Sequence, residues 1–346
     1  MIGGFRAAMA AALGGIASFA LAGTPVMARE VQSVDARTVT MPAEIAGDIA
    51  NIARSGMGSH GMVGVAAWRL DGRGPAILYN ADEAFPMAST FKVAVAGKLM
   101  QRIEAGQLSL GKMITIDPDR EIDSPTIAER LIHPGIVLSV YNLLELMLTD
   151  SDNTATDYLL DEVGGAAAVT AWVRAQGVDG LRIDGGTDEI IRRYLRMGPG
   201  PFPRVLKETL ARDPELLARA DKPDQAFDSD PRDTASPRAM AKLLTHIFAS
   251  KALNPEHTRL LMEIMGRDRT GPNRLRGQMP PGTEVSDKTG TIGGTINDVG
   301  AITLPGGAKI VIVVFIKASD VSIPAREKAI AQIGRAVRDY YAYATL

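Results

Sequence analysis

The sequence predicts an α+β (mixed α/β) fold in which both ends of the chain build one sheet and a helical lobe is inserted between its strands. Three observations predict it. Strand-like runs lie near the start, at 61–70 and 76–80, and near the end, between 284 and 317. Residues from 87 to about 260 are helical in character, and no strand–helix–strand repeat runs through the chain.

Taken in order, "PAEIAGDIANIARS" (42–55) starts with Pro42 and repeats Ile45, Ile49, Ile52 and Ala53 at helical spacing. "GMVGVAAWRL" (61–70) and "AILYN" (76–80) bracket Asp71-Gly72-Arg73-Gly74 as a β-hairpin. Ser139 is placed to cap a helix over "VYNLLELML", and Asp150 to Asn153 to cap "TATDYLLDEV". "AAAVTAWVRAQG" (166–177) reads as a further helix ending at Gly177. Between 186 and 235 the pattern breaks into Gly-, Pro- and Asp-rich stretches with one short helix, "RVLKETLARD". So long an irregular connection is expected to be a functional loop. Ser236 and Pro237 restart a helix. The tail reads as strands at 284–290, 296–304 and 309–317, then a helix from about Ser322 to Tyr341. "KIVIVVFI" lacks polar alternation, which predicts a central strand covered on both faces.

Composition excludes several functions. With 38 Lys and Arg against 40 Asp and Glu, the formal charge is −2, and no basic stripe offers a nucleic-acid surface. There is no cysteine, so neither a thiolate nucleophile nor a cysteine metal site exists. His60, His133, His246 and His257 are scattered without metal-ligand spacing, and neither a metal nor a cofactor is expected. Residues 1–28 carry one charge, Arg6, before an apolar run that ends in small residues at Ala28. That is the form of a cleaved export signal, so a periplasmic or secreted mature chain over 29–346 is expected, with no stable membrane insertion.

The chemistry is carried by three short stretches. "PMASTFKVAVAGKLM" (86–100) sets Ser89 and Lys92 one turn apart at the start of an apolar helix. A serine hydroxyl needs a base within hydrogen-bond reach to act as a nucleophile, and a desolvated lysine amine can be that base. "LTDSDNTATDYLL" places Ser151-Asp152-Asn153 at a helix start, and "SDKTGTIGG" places Lys288-Thr289-Gly290 late in a predicted edge strand. The glycine there lets a ligand backbone approach closely.

Ser89-Thr90-Phe91-Lys92, Ser151-Asp152-Asn153 and Lys288-Thr289-Gly290, in that order, resemble the signatures of the serine β-lactamase and penicillin-binding-protein superfamily, class A most closely. The flanking segments are similar over nearly all of the expected mature chain. The resemblance implies an antiparallel sheet flanked by helices beside an all-helical lobe, with the site in the cleft between them. The sheet lobe would span about 29–85 and 280–346, and the helical lobe about 86–279, including an enlarged Ω-like loop at 182–235.

It further implies roles. Ser89 would be acylated, with Lys92 as proton acceptor or relay, and Ser151 would pass a proton to the departing ring nitrogen. Asn153 would bind the substrate's side-chain amide, and Lys288 and Thr289 its carboxylate. Backbone N–H groups of Ser89 and Thr291 would form the oxyanion hole. The substrate would be a small molecule, a β-lactam or a related carboxylated amide, and the protein a monomer.

The sequence departs from the family at the loop. "RIDGGTDEII" has Gly185 where the family has an arginine and Thr187 where it has the general base that resolves the acyl-enzyme. Glu189 is one substitute; Asp213 or Glu215 in "RDPELLARA" is another. Asp233 would lose its arginine, leaving Arg182 or another group of the loop to pair with it. Asp123 stands where an aromatic wall is usual. The expected function is therefore serine hydrolysis of the β-lactam amide. The alternatives are a non-lactam amidase, esterase or D,D-peptidase, or a penicillin-acylated sensor that deacylates slowly.

Overall fold

The computed structural model describes residues 42–343 apart from 56 and 59; the expected leader, with Ala28, lies outside the described residues. Helix α1 (Ala43–Ser55) buries Ile45 and Ile49. Strands β1 (Met62–Arg69) and β2 (Ile77–Tyr79) form the expected antiparallel hairpin. After β3 (Phe85–Pro86), a 3-10 turn (Ala88–Phe91) runs into α2 (Lys92–Glu104). Strand β4 (Met113–Thr115) pairs with β5 (Val137–Ser139) across α3 (Ile127–Arg130).

Three helices follow: α4 (Val140–Thr149), α5 (Asn153–Glu162) and α6 (Gly165–Ala175). Ser139 caps α4 as expected, its Oγ accepting from Asn142 N at 3.1 Å. The stretch expected to be irregular is instead largely helical. It holds α7 (Thr187–Leu195), α8 (Phe202–Arg212), a 3-10 turn (Leu217–Arg219) and α9 (Gln225–Asp228). Helix α7 escapes a local reading because its N-cap, Gly186, supplies no side-chain cap and Asp188, Glu189, Arg192 and Arg193 crowd its short span.

Strand β6 (Thr234–Ala235) pairs with β3, and α10 (Pro237–Phe248) and α11 (Pro255–Met265) lead to the closing strands. These are β7 (Val285–Ile292), β8 (Thr295–Thr303) and β9 (Lys309–Lys317), followed by α12 (Ile323–Tyr343). The main sheet is antiparallel with order β2-β1-β9-β8-β7, so β9 is central and β7 is an edge.

The period of two along β9 divides the interior. Ile310, Ile312, Val314 and Ile316 share one core with Ile330 and Val337 of α12 and Ile49 of α1. Val311, Val313 and Phe315 face the other core, shared with α10 and the helices around α2. Tyr341 locks the first layer, its hydroxyl oxygen lying 2.6 Å from Pro75 O and 3.1 Å from Ala67 O. The edge strand β7 lies against the 3-10 turn that carries Ser89. Among the described residues no helix is long and apolar enough to cross a membrane.

Candidate active site

The nucleophile turn is pinned from two sides. Asn297 of β8 donates its amide to Pro86 O at 2.9 Å and Met87 O at 3.0 Å, and Met87 N donates to Asp233 O at 3.0 Å. Ala88 is held at φ 45°, a left-handed conformation costly for a residue with a Cβ. The chain then enters the 3-10 turn, in which residues three apart eclipse one another, and Lys92 N bonds back to Ser89 O. That geometry sets the Ser89 and Lys92 side chains on one face. Ser89 is partly buried, and among the described residues its Oγ has no hydrogen-bond partner.

Lys92 is fully buried and its three donors are directed at the start of α5. Nζ lies 2.7 Å from Ser151 O, 3.2 Å from Ser151 Oγ and 2.9 Å from Asn153 Oδ1. Burial, and then the nearby Lys288 ammonium, pull its pKa well below the ordinary lysine value, against the attraction of Asp152, Asp157 and Asp268. Ser151 reaches Lys92 because it too is left-handed, at φ 55°. Asp152 caps α5, accepting from Ala155 N, and also holds Ile127 N, each at 2.9 Å. The Asn153 amide is spanned, Oδ1 by Lys92 and Nδ2 by Asp123 O at 2.9 Å.

Across from this group, Lys288 is also fully buried and donates to Thr289 O at 3.1 Å; burial lowers its pKa, with Asp268 opposing. Thr289 Oγ1 bonds to Thr270 Oγ1, which lies 2.7 Å from Asp268 Oδ1. Thr291 Oγ1 accepts from Arg274 Nη2 at 2.7 Å, while Arg274 Nη1 holds Gly290 O at 3.2 Å and Asn297 O at 3.0 Å. The close approach at Gly290 is made by the protein's own chain: a Cβ there would sit 2.8 Å from Met87 O and 3.0 Å from Ser89 N. Ser89 N and the β7 edge thus face one another with no room between for a side chain.

Of the expected partners for Asp233, it is another group of the loop and not Arg182 that pairs with it. Asp233 pairs with Arg193 of α7 at 2.7 Å, and its other oxygen accepts from Asp184 N at 2.8 Å and Gly185 N at 3.1 Å. Arg182 is occupied by Asp184. Glu189 is exposed and turns back toward Gly185. Asp213 pairs with Arg219 at 2.6 Å, and Glu215 is exposed. None of these three carboxylates hydrogen-bonds to Ser89, Lys92, Ser151 or Asn153 among the described residues.

Thr187 does meet the site: its Oγ1 lies 3.0 Å from Asn153 O and 2.5 Å from Asp157 Oδ1. Asp157 belongs to none of the three motifs, although it lies four residues beyond Asn153 and so on the same face of a helix, a spacing that could have marked it. Arg193, Arg274 and Asn297 give no such local signal, because their partners are distant in sequence.

Comparison with known proteins finds similar chains over most of this one. Residues 44–341 match the model of the family described as the β-lactamase enzyme family. The ancestral (GNCA) class A β-lactamase is 34% identical with a TM-score of 0.69, over 85% of this chain and 99% of that one. A β-lactamase from Chitinophaga pinensis is 28% identical with a TM-score of 0.69, over 86% of this chain and 98% of its own. One from Xanthomonas campestris is 28% identical with a TM-score of 0.69, over 85% and 96%.

Proposed function

This chain belongs to the β-lactamase enzyme family, and from that premise we propose that it opens the lactam amide through an ester on Ser89. The observation that carries the reading is the Lys92 amine. It is desolvated, one turn from Ser89 and 3.2 Å from Ser151 Oγ. Burial and the Lys288 ammonium lower its pKa, which favours the neutral form that takes the Ser89 proton.

Ser89 Oγ then bonds to the lactam carbonyl carbon. The charge on the carbonyl oxygen is met by the backbone N–H groups of Ser89 and Thr291, of a kind worth about 3 kcal/mol each. The proton passes by Ser151 to the ring nitrogen as the amide bond breaks. Asn153 orients the substrate's side-chain amide, and Lys288 with Thr289 anchors its carboxylate, the Lys288 ammonium favouring an anionic ligand. A monomer residing outside the cytoplasm, after cleavage near Ala28, belongs to the same reading, motivated by the leader-like run at 1–28.

Intact-mass spectrometry during exposure to a penicillin tests it. We expect a transient adduct on Ser89, stoichiometric product, and no adduct in Ser89→Ala. A permanent adduct without product would make the protein a sensor. Turnover of a small ester or a D-Ala-D-Ala peptide with no reaction at a lactam would assign it to another amide or ester substrate.

A further inference from the structure

We propose that Asp157, acting through the Thr187 hydroxyl, is the proton acceptor that drives hydrolysis of the Ser89 ester. The inference rests on the acyl-enzyme reading above and supplies a proton acceptor in a place where Glu189, Asp213 and Glu215 make no hydrogen bond among the described residues.

Asn153 stands between the two groups: its side-chain Oδ1 accepts from Lys92 Nζ at 2.9 Å, and its backbone O lies 3.0 Å from Thr187 Oγ1, which lies 2.5 Å from Asp157 Oδ1. Thr187 has one hydroxyl proton and two acceptors, so it serves one at a time. While Asp157 is ionised the proton points to it. Once Asp157 is protonated, the acid donates to Thr187 Oγ1 and the threonine proton turns to Asn153 O. The hydroxyl is therefore built to hand a proton on.

The surroundings hold the carboxylate ready to accept. Thr187 N donates to Oδ1 at 2.7 Å and Asp188 N to Oδ2 at 2.9 Å, at the N-terminus of α7, which favours the anion. Burial opposes them and prevails, raising the pKa to about 6, close to the working range of a base at neutral pH. The outer edge of Asp157 borders a cavity of about 310 Å³, also lined by Arg120, Tyr158, Arg192 and Phe202, through which protons can exchange with solvent. The charged groups facing Asp157 are Lys92 of α2, Asp119 and Arg120 of the turn before α3, and Asp188 and Arg192 of α7. Arg120 is occupied by Asp161 and Arg192 by Asp188, so neither neutralises Asp157 directly.

In the step, a water oxygen bonds to the ester carbonyl carbon, its proton goes to Thr187 Oγ1, and the threonine proton moves to Asp157. The bond from carbon to Ser89 Oγ breaks, and Asp157 returns the proton through Thr187 and water to the serine oxygen. One water is consumed; a carboxylic acid and the free serine result.

Single-turnover mass spectrometry with a penicillin separates formation of the adduct from its loss. Asp157→Asn is expected to acylate normally and lose the adduct about 10²-fold more slowly. Thr187→Val, which keeps the backbone bonds that cap α7, is expected to slow loss at least about tenfold, with Thr187→Ser restoring it. Glu189→Gln should clear at the wild-type rate. In the wild type, adduct loss should rise from about pH 5 to 7 with an apparent pKa near 6, and this limb should vanish in Thr187→Val, which a capping role alone would leave in place. Wild-type clearance in Thr187→Val, or an unchanged pH limb, overturns this inference alone. A wild-type protein that never forms an adduct overturns the acyl-enzyme reading and this one with it.

Discussion

Ser89 and Lys92 stand one turn apart on a single segment, whereas Asp157 and Thr187 meet across 30 residues from two separate helices. The first pair is set by the local geometry of a 3-10 turn running into a buried helix. The second exists only once the segment 182–235 has folded over α5. A site can thus combine a nucleophile and amine that share one segment, anchored by Asn297 of the sheet, with a loop centre built from two separate helices, and the two should respond differently to damage.

The sharpest way to break this contrast is at the amine. Lys92→Ala should slow acylation by about 10²-fold or more, with the fold retained; adduct formation at the wild-type rate would remove Lys92 from the reaction. Next is the contact between the nucleophile turn and β7. Gly290→Val would press a side chain into the Met87 and Ser89 backbone and should cost about 2 kcal/mol of stability and at least about tenfold in acylation. Normal acylation by that variant would mean that Ser89 tolerates displacement.

In the loop half, Arg193→Ala strips Asp233 of its cation in a partly buried pair. It should cost about 2 kcal/mol, read as a lower midpoint in urea, and should slow adduct loss more than adduct formation. Equal effects on both steps would erase the expected difference between the halves.

The smallest expected effect concerns pH and stability. A folded-state pKa raised from 3.8 to about 6 means that the folded form binds the Asp157 proton more tightly, so this group's contribution falls as pH rises through that window. Asp157→Asn should therefore gain on the wild type between about pH 4 and 6, by about 2 kcal/mol, and no further above about pH 7. Urea denaturation at either end of that range checks the sign; a change in the opposite direction would contradict it.

What is legible in the sequence follows the same division. Ser139 caps the helix it is expected to cap, and the uniformly apolar β9 is central, because caps and strand periodicity are written within a few residues. The spacing of Ser89 and Lys92, and the adjacency of Ser151 and Asn153, are readable for the same reason. Helix α7 is not, since its capping carboxylate comes from Asp157 on another helix. The partner of Asp233 is hidden likewise: Arg193 is brought to it by the fold, whereas Arg182, the candidate nearer in the motif, is taken by its own neighbour Asp184. Gly290 does mark a place of close approach, but the approaching backbone is the protein's own.

The sheet joins Met62 to Lys317 in one register, and Asn297 holds the carbonyls just before the nucleophile. High contact order of this kind delays assembly, because the last-made strands must return to the first. A nascent or truncated chain ending before β8 would carry Ser89 and Lys92 yet lack Asn297, which pins the turn that presents them. Acquisition of enzymatic competence would then coincide with completion of the polypeptide, making lactam labelling a kinetic clock for its maturation.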